Sequence, residues 1–256
     1  MASTMLVSKS LAADMTTESP SLSSQIDKPD STASGASEAD DSEFLADDET
    51  GAPPAVRVAD PLEPWNRAMF VFNDKCYFWV LKPAAQGYKA VMPELFRRGI
   101  KNFFYNLGMP VRLVNCVLQG KGKGATGEGG RFLYNTTVGV LGFGNPAANH
   151  PFLNPDAEDF GQTLGRYGIG HGVYLVWPLL GPSSIRDTVG LGGDYFLTPT
   201  TYVEPMAASI GISAGERINQ VSFQLGDYET FKAAALEPYT SARDAYLQYR
   251  KGKVGK

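Results

Sequence analysis

Residues 160–187 constrain this chain more than any other stretch. Glycines fall at 161, 165, 168, 170 and 172, and again at 181. An apolar run at 173–180, interrupted by Pro178, lies between them. A helical Gly costs roughly 1 kcal/mol against Ala, so the stretch is too glycine-rich for a helix standing alone. It is also too short and broken to cross a bilayer as a helix, which takes about 20 apolar residues. Glycines spaced this way let backbones approach each other, or a ligand, closely. The local physics predicts a tightly turned loop.

Charge divides the chain in two. Residues 1–55 hold 11 acidic and 2 basic side chains, rich in Ser, Thr and Ala and poor in large apolar residues. Such a segment cannot bury enough surface to offset its ordering entropy, and it reads as a disordered acidic tether. Residues 56–256 hold 16 acidic and 21 basic side chains. That mild basic excess suits anionic lipid headgroups, and it is equally ordinary for a soluble domain. Residues 56–250 read as the folded domain and 251–256 as a basic tail. Cys76 and Cys116 lie in apolar helical patterns, where Cys serves as a small buried hydrophobe; one disulfide between them is permitted.

Pro64 suits the first turn of a helix. From Trp65 apolar residues recur at 65, 68, 69, 72, 76, 79 and 80, which is helical spacing. Asn66, Arg67, Asn73, Asp74 and Lys75 form a narrow polar strip, and the rest of the circumference is apolar. Such a helix is buried or half-sunk in lipid. Pro83 is expected to end it. Residues 95–107 read as an amphipathic helix, and Pro110 starts another. Residues 120–130 read as a glycine-rich loop, 131–141 as helical and 143–159 as a Pro/Asn-rich connection. Ser184 and Asp187 have capping-box spacing, with Asp in place of Glu. Residues 203–235 look helical despite glycines at 211, 215 and 226, and 238–250 form a last amphipathic helix. The fold class is mainly α, with at most one short hairpin.

The chemistry of most enzyme classes has no residues here. His150 and His171 lack metal-ligand spacing, so no zinc site is expected. There is no G-x-S-x-G nucleophile elbow. The match of 122–127 to G-x-G-x-x-G is followed by Gly129 and Gly130, which would break the helix that dinucleotide binding requires. Lys121 and Lys123 are followed by Gly, not by the Ser or Thr of a phosphate-binding loop. Asp187 and Asp194 could pair as carboxylates, but capping explains Asp187 better. A non-enzyme without cofactor or nucleic-acid partner is expected.

Four motifs then occur in order: Asp60-Pro-Leu-Glu-Pro-Trp-Asn-Arg67; Asn102-Phe-Phe-Tyr-Asn-Leu107 through Leu118-Gln-Gly120, with Arg131-Phe-Leu-Tyr-Asn135; the glycine-rich segment; and the closing run from Glu237 to Arg250. Together they resemble the MlaA (VacJ) family of outer-membrane lipoproteins. The resemblance implies a ring of amphipathic helices around a central channel, with long Gly/Pro-rich connections, sunk in the inner leaflet of the outer membrane. It implies removal of mislocalised outer-leaflet phospholipids to a periplasmic lipid carrier, with a trimeric porin as a candidate partner. Family members open with a signal peptide and a lipobox cysteine. Residues 1–13 show neither a long apolar run nor a Cys, so secretion and lipidation are not legible from this end. On this reading Gly161, Gly165, Gly168, Gly170 and Gly172 shape the channel. Arg166, His171 and Arg186 are candidates to contact headgroup phosphate, each with a structural hydrogen bond or salt bridge as its plainer role. Trp65, Phe72, Tyr77 and Trp79 are expected at the membrane interface. The alternative is a soluble periplasmic scaffold that grips lipid or protein without a channel; a sizeable exposed apolar belt discriminates the two.

Overall fold

The computed structural model describes residues 60–255; the expected tether at 1–55 lies outside them. These residues form ten α-helices and one two-stranded hairpin, so the fold is mainly α, as expected. The helices are α1 (Glu63–Cys76), α2 (Lys82–Val91), α3 (Glu94–Leu107), α4 (Met109–Leu118), α5 (Gly122–Thr137), α6 (Phe160–Arg166), α7 (Ile185–Leu197), α8 (Met206–Val221), α9 (Asp227–Ala234) and α10 (Pro238–Val254). Strands β1 (Tyr174–Trp177) and β2 (Gly181–Ser184) pair antiparallel, with Tyr174 opposite Ser184 and Trp177 opposite Gly181.

Pro83 does not end the first helix. A π-helical turn, Tyr77–Leu81, links α1 to α2, and the Lys82 amide donates to the Tyr77 carbonyl five residues back. Proline has no N–H and clashes with the carbonyl four residues earlier. One wider turn just before Pro83 absorbs both defects, and the helix continues.

The glycine-rich segments also fold differently from their local propensity. Residues 122–130, expected as a loop, are the first half of α5. A Cβ at Gly127 would sit 2.6 Å from the Phe152 carbonyl oxygen, and one at Gly130 2.8 Å from Leu153. The missing side chains let the 3₁₀ turn Pro151–Leu153 lie on the helix, and that packing outweighs the intrinsic cost of glycine. Residues 160–166, expected as a turned loop, form α6, because the Asp159 side chain caps it by accepting from the Gln162 amide at 2.8 Å. The helical run expected to reach 141 stops at Thr137; Val140 and Leu141 then take left-handed φ of 53° and 58°. A β-branched residue rarely adopts that conformation.

Other expectations match. Ser184 caps α7, accepting from the Asp187 amide at 3.2 Å. Residues 203–235 split into α8 and α9 at Gly226, whose φ is 100°. Helix α10 runs on to Val254, so Lys251 and Lys253 belong to its last turn and not to a separate tail. The chain closes on itself in a ring-like order. Helix α1 packs on β1, α2 and α3 pack on α8, and α6 packs on α7 and α10. Asp60, just ahead of α1, accepts from the Tyr239 hydroxyl at the start of α10.

Candidate functional site

Helix α1 is built inside out. Asn66, Asn73 and Asp74 of its polar strip face the protein, and Trp65, Phe72 and Trp79 face away. Asn66 is fully buried: its amide donates to the Tyr174 carbonyl at 3.0 Å and its carbonyl accepts from the Val176 amide at 2.8 Å. Two turns on, Asn73 donates to the Trp177 carbonyl at 2.9 Å and accepts from the Leu179 amide at 2.7 Å. Two asparagines seven residues apart thus satisfy the backbone of β1 as a neighbouring strand would. On the other side Trp65, Phe72 and Trp79 are exposed, Trp79 to 74%.

The same inversion runs through the molecule. Among the described residues, buried polar and charged side chains outnumber buried hydrophobic ones two to one. Large apolar side chains crowd the surface instead, including Val91, Leu95, Phe96, Leu133, Val140, Leu141, Ile185, Val189, Phe196 and Met206. A groove of about 850 Å³ between α3 and the 138–146 loop is lined by Met92, Leu95, Phe96, Ile100, Val140 and Phe143. No helix among the described residues is long and apolar enough to cross a membrane.

Three polar clusters of the interior involve helices α4 to α7 and α10. In the first, Arg250 of α10 donates to Asp187 from Nε at 2.8 Å and from Nη2 at 2.7 Å. It also donates to Asp159 from Nη1 at 2.6 Å and from Nη2 at 2.9 Å. Tyr246 and Arg186 complete the coordination of Asp187, at 2.5 and 3.0 Å. Burial alone would push both carboxyls up; the Arg250 guanidinium wins and holds them below the usual carboxylate range. The second cluster links Asn115 to Thr163 (2.8 Å) and Asp194 (2.9 Å), and Gln119 to Glu158 and Thr163 (both 3.1 Å). Asp194 also accepts from the Phe160 amide at 3.2 Å. Burial, reinforced by the neighbouring Asp159 charge, pushes its carboxyl up to about 6. In the third, Glu128 of α5 is shared by Arg112 of α4, at 2.9 Å, and by Arg131.

The residues singled out from the sequence separate in space. Gly161 and Gly165 are close-approach sites: a Cβ at Gly161 would meet Asp187 at 2.5 Å and one at Gly165 would meet Val254 at 2.7 Å. Gly168 and Gly172 are required by their φ of 88° and 68°. Gly170 has open space and an ordinary φ, so no local constraint calls for glycine there. Arg186 is buried and spent on Asp187. His171 is half-buried, with Nδ1 donating to the Gly172 carbonyl at 2.7 Å. Arg166 is exposed, with no side-chain partner among the described residues. Tyr77 is a correction. It is only 8% exposed, because the π turn rotates it inward, where its hydroxyl donates to Glu229 at 2.9 Å and burial pushes it well above the usual tyrosine range. Cys76 and Cys116 are free thiols, and burial pushes Cys116 up to about 11.

Sequence reasoning missed Asn66 and Asn73 as strand partners, Gly190, the buried acid Glu128 and the half-buried Asp159; Asp194, weighed there as a partner for Asp187, instead binds Asn115 and the Phe160 amide. Gly190 is the site where α7 crosses α6: a Cβ there would sit 2.5 Å from the Gly161 nitrogen. The available signal was the seven-residue spacing of the asparagines and the arginines placed on otherwise apolar helices.

Comparison with known proteins places this architecture. Residues 58–253 match the family model for the MlaA lipoprotein. The intermembrane phospholipid transport system lipoprotein MlaA of Escherichia coli (strain K12) is 34% identical over 194 residues, covering 74% of this chain and 76% of that one. Its namesake from Haemophilus influenzae is 31% identical over 203 residues, covering 76% and 79%. An uncharacterised Rickettsia bellii protein is 33% identical over 198 residues, covering 77% of each. A solved structure that concerns the structural basis for maintenance of bacterial outer membrane lipid asymmetry superposes with a TM-score of 0.68 at 32% identity. It covers 77% of this chain and 100% of that chain.

Proposed function

Because this chain belongs to the MlaA lipoprotein family, we propose that it maintains outer-membrane lipid asymmetry by removing mislocalised phospholipids from the outer leaflet. The lipid passes through a central channel and is handed to a periplasmic carrier. The protein sits on the periplasmic side of the outer membrane, in the inner leaflet, with a trimeric porin as a further candidate partner. It performs no covalent chemistry.

The observation that carries this reading is the inverted polarity. A phospholipid moved across a leaflet needs a polar path for its head and an apolar one for its tails. Polar inner faces on α1, α4, α5 and α7 supply the first; the apolar surface and the groove beside Phe96 and Phe143 supply the second. Soluble monomers rarely carry large apolar patches, so this many exposed large apolar side chains disfavour the scaffold reading. Trp65, Phe72 and Trp79 on α1 are placed to meet the lipid interface. Gly161, Gly165, Gly168, Gly170 and Gly172 shape the passage, and Arg166 and His171 remain candidates to meet the headgroup.

The test is complementation. A strain lacking its own family member, expressing this chain, should regain detergent resistance and lose surface-exposed phospholipid. Unchanged surface phospholipid, with the protein present in the outer-membrane fraction, sinks the reading. Replacing Trp65, Phe72 and Trp79 together by Gln should move the protein out of that fraction.

A further inference from the structure

The Glu128 cluster is unbalanced. Arg112 and Arg131 face one carboxylate, and the side chains are 9%, 4% and 0% exposed for Arg112, Arg131 and Glu128. Taking charge out of water is costly unless it is paired, so an unmatched buried guanidinium calls for a reason. Among the described residues each arginine makes a single side-chain hydrogen bond, to Glu128. A guanidinium has five N–H donors in a planar fork, so most of each fork is unused. No nitrogen of either is among the fully buried atoms without a partner. The unused donors therefore retain some accessible area.

Three features shape their surroundings. Both guanidiniums stack on Tyr105, at 4.2 and 4.5 Å from the ring centroid, which fixes their planes. Tyr105 is itself 41% exposed, so the pair lies next to the surface. Gly108 lets the backbone lie close to Arg112: a Cβ there would sit 3.1 Å from Nη1, although the Gly108 φ of −75° would admit any residue.

We propose that Arg112 and Arg131 form a binding site for a phosphate anion, held by their unused N–H forks over Tyr105. Planar forks match phosphate oxygens two at a time, which a lysine cannot do. Glu128 holds the two arginines in place and limits the net charge, so that the ligand is bound and also released. Taken with the functional proposal above, on which this assignment of the ligand rests, the anion is the phosphodiester of a phospholipid headgroup.

The experiment uses the full chain in non-ionic detergent, in phosphate-free buffer. Dihexanoyl-phosphatidylglycerol, inorganic phosphate and dihexanoylglycerol are titrated by calorimetry. Arg112→Gln should weaken binding of the phosphate-bearing lipid at least tenfold, and Arg112→Lys about threefold, while dihexanoylglycerol binds all forms alike. Glu128→Gln leaves both forks unmatched and should tighten binding about tenfold; a purely structural cluster would lose binding there too. Exposed Arg98→Gln, paired only with Glu94 on the surface of α3, is the control and should change nothing at this site. Displacement by the lipid assigns the site to a headgroup, and binding of inorganic phosphate alone assigns it to the free anion. Unchanged binding in a folded Arg112→Gln, or in Arg112→Lys should the first not fold, overturns the proposal. Cells separate the two hypotheses: phosphate binding without lipid removal sinks the functional reading, and lipid removal with binding indifferent to Arg112 sinks the site.

Discussion

Two buried charge clusters use the same residue types and come out differently. Around Arg250, two guanidiniums meet two carboxylates and a tyrosine hydroxyl, and Arg250 spends Nε, Nη1 and Nη2 on Asp159 and Asp187. Around Glu128, two guanidiniums meet one carboxylate and most of their donors are idle. The first is a saturated brace that ties α6, α7 and α10 together. The second is open. Saturation, and not burial or charge, is what separates a structural arginine from one left for a ligand. Arg186, which looked like a phosphate contact in the sequence, lies within this brace, with Nε and Nη2 both at 3.0 Å from Asp187.

The largest expected effect comes from breaking the brace. Arg250→Gln leaves buried Asp187 and half-buried Asp159 without their cation, which should cost about 3 kcal/mol. Arg112→Gln leaves Glu128 still paired with Arg131 and should cost only about 1 kcal/mol. Thermal melts of both variants in the same detergent compare them directly, and equal losses would erase the distinction.

The seat of the brace is the glycine crossing of α6 and α7. Gly190→Ala drives a Cβ into the backbone at Gly161 and should cost about 1–3 kcal/mol. Gly170→Ala, with open space and an ordinary φ, should stay within about 0.5 kcal/mol. Denaturant midpoints settle it; a Gly170 variant as unstable as the Gly190 one would mean that the crossing is not what those glycines serve.

Acidity sharpens the comparison further. The Asp194 carboxyl is raised from 3.8 to about 6, so its favourable protonated form is lost as pH rises through 6. Stability should therefore increase as pH falls from 7 towards 5. Asp159 and Asp187 are depressed, so their contribution is present above about 3.9 and lost as pH falls through their lowered values. The melting temperature should peak between these windows. Glu216 is also raised by burial, so Asp194→Asn is needed to isolate the step. That variant should flatten the rise between pH 7 and 5, and an undiminished rise assigns it elsewhere.

Much of the helical punctuation was legible because it is local. Pro64, Pro110 and Pro238 sit in the first turns of their helices, and Ser184 caps α7, all through bonds within a few residues. Pro83 and glycines 122–130 misled for the opposite reason. A π turn and a neighbouring 3₁₀ turn rescued helices that propensity alone would have stopped. Tyr77 misled because that same turn shifts the phase of the helix face, which a regular 3.6-residue period cannot foresee.

The sequence by itself determined that the chain is mainly helical, that its helices are two-faced, and which family its motifs resemble. Periodicity says which residues share a face. It does not say on which side of that face the protein lies, because that is set by partners such as Tyr174 and Val176, more than 100 residues from Asn66. Only the tertiary structure decided that the polar faces turn inward and the apolar ones outward. Only it decided which arginines find two carboxylates and which share one, since a salt bridge is made by whichever charges folding brings within a few ångströms.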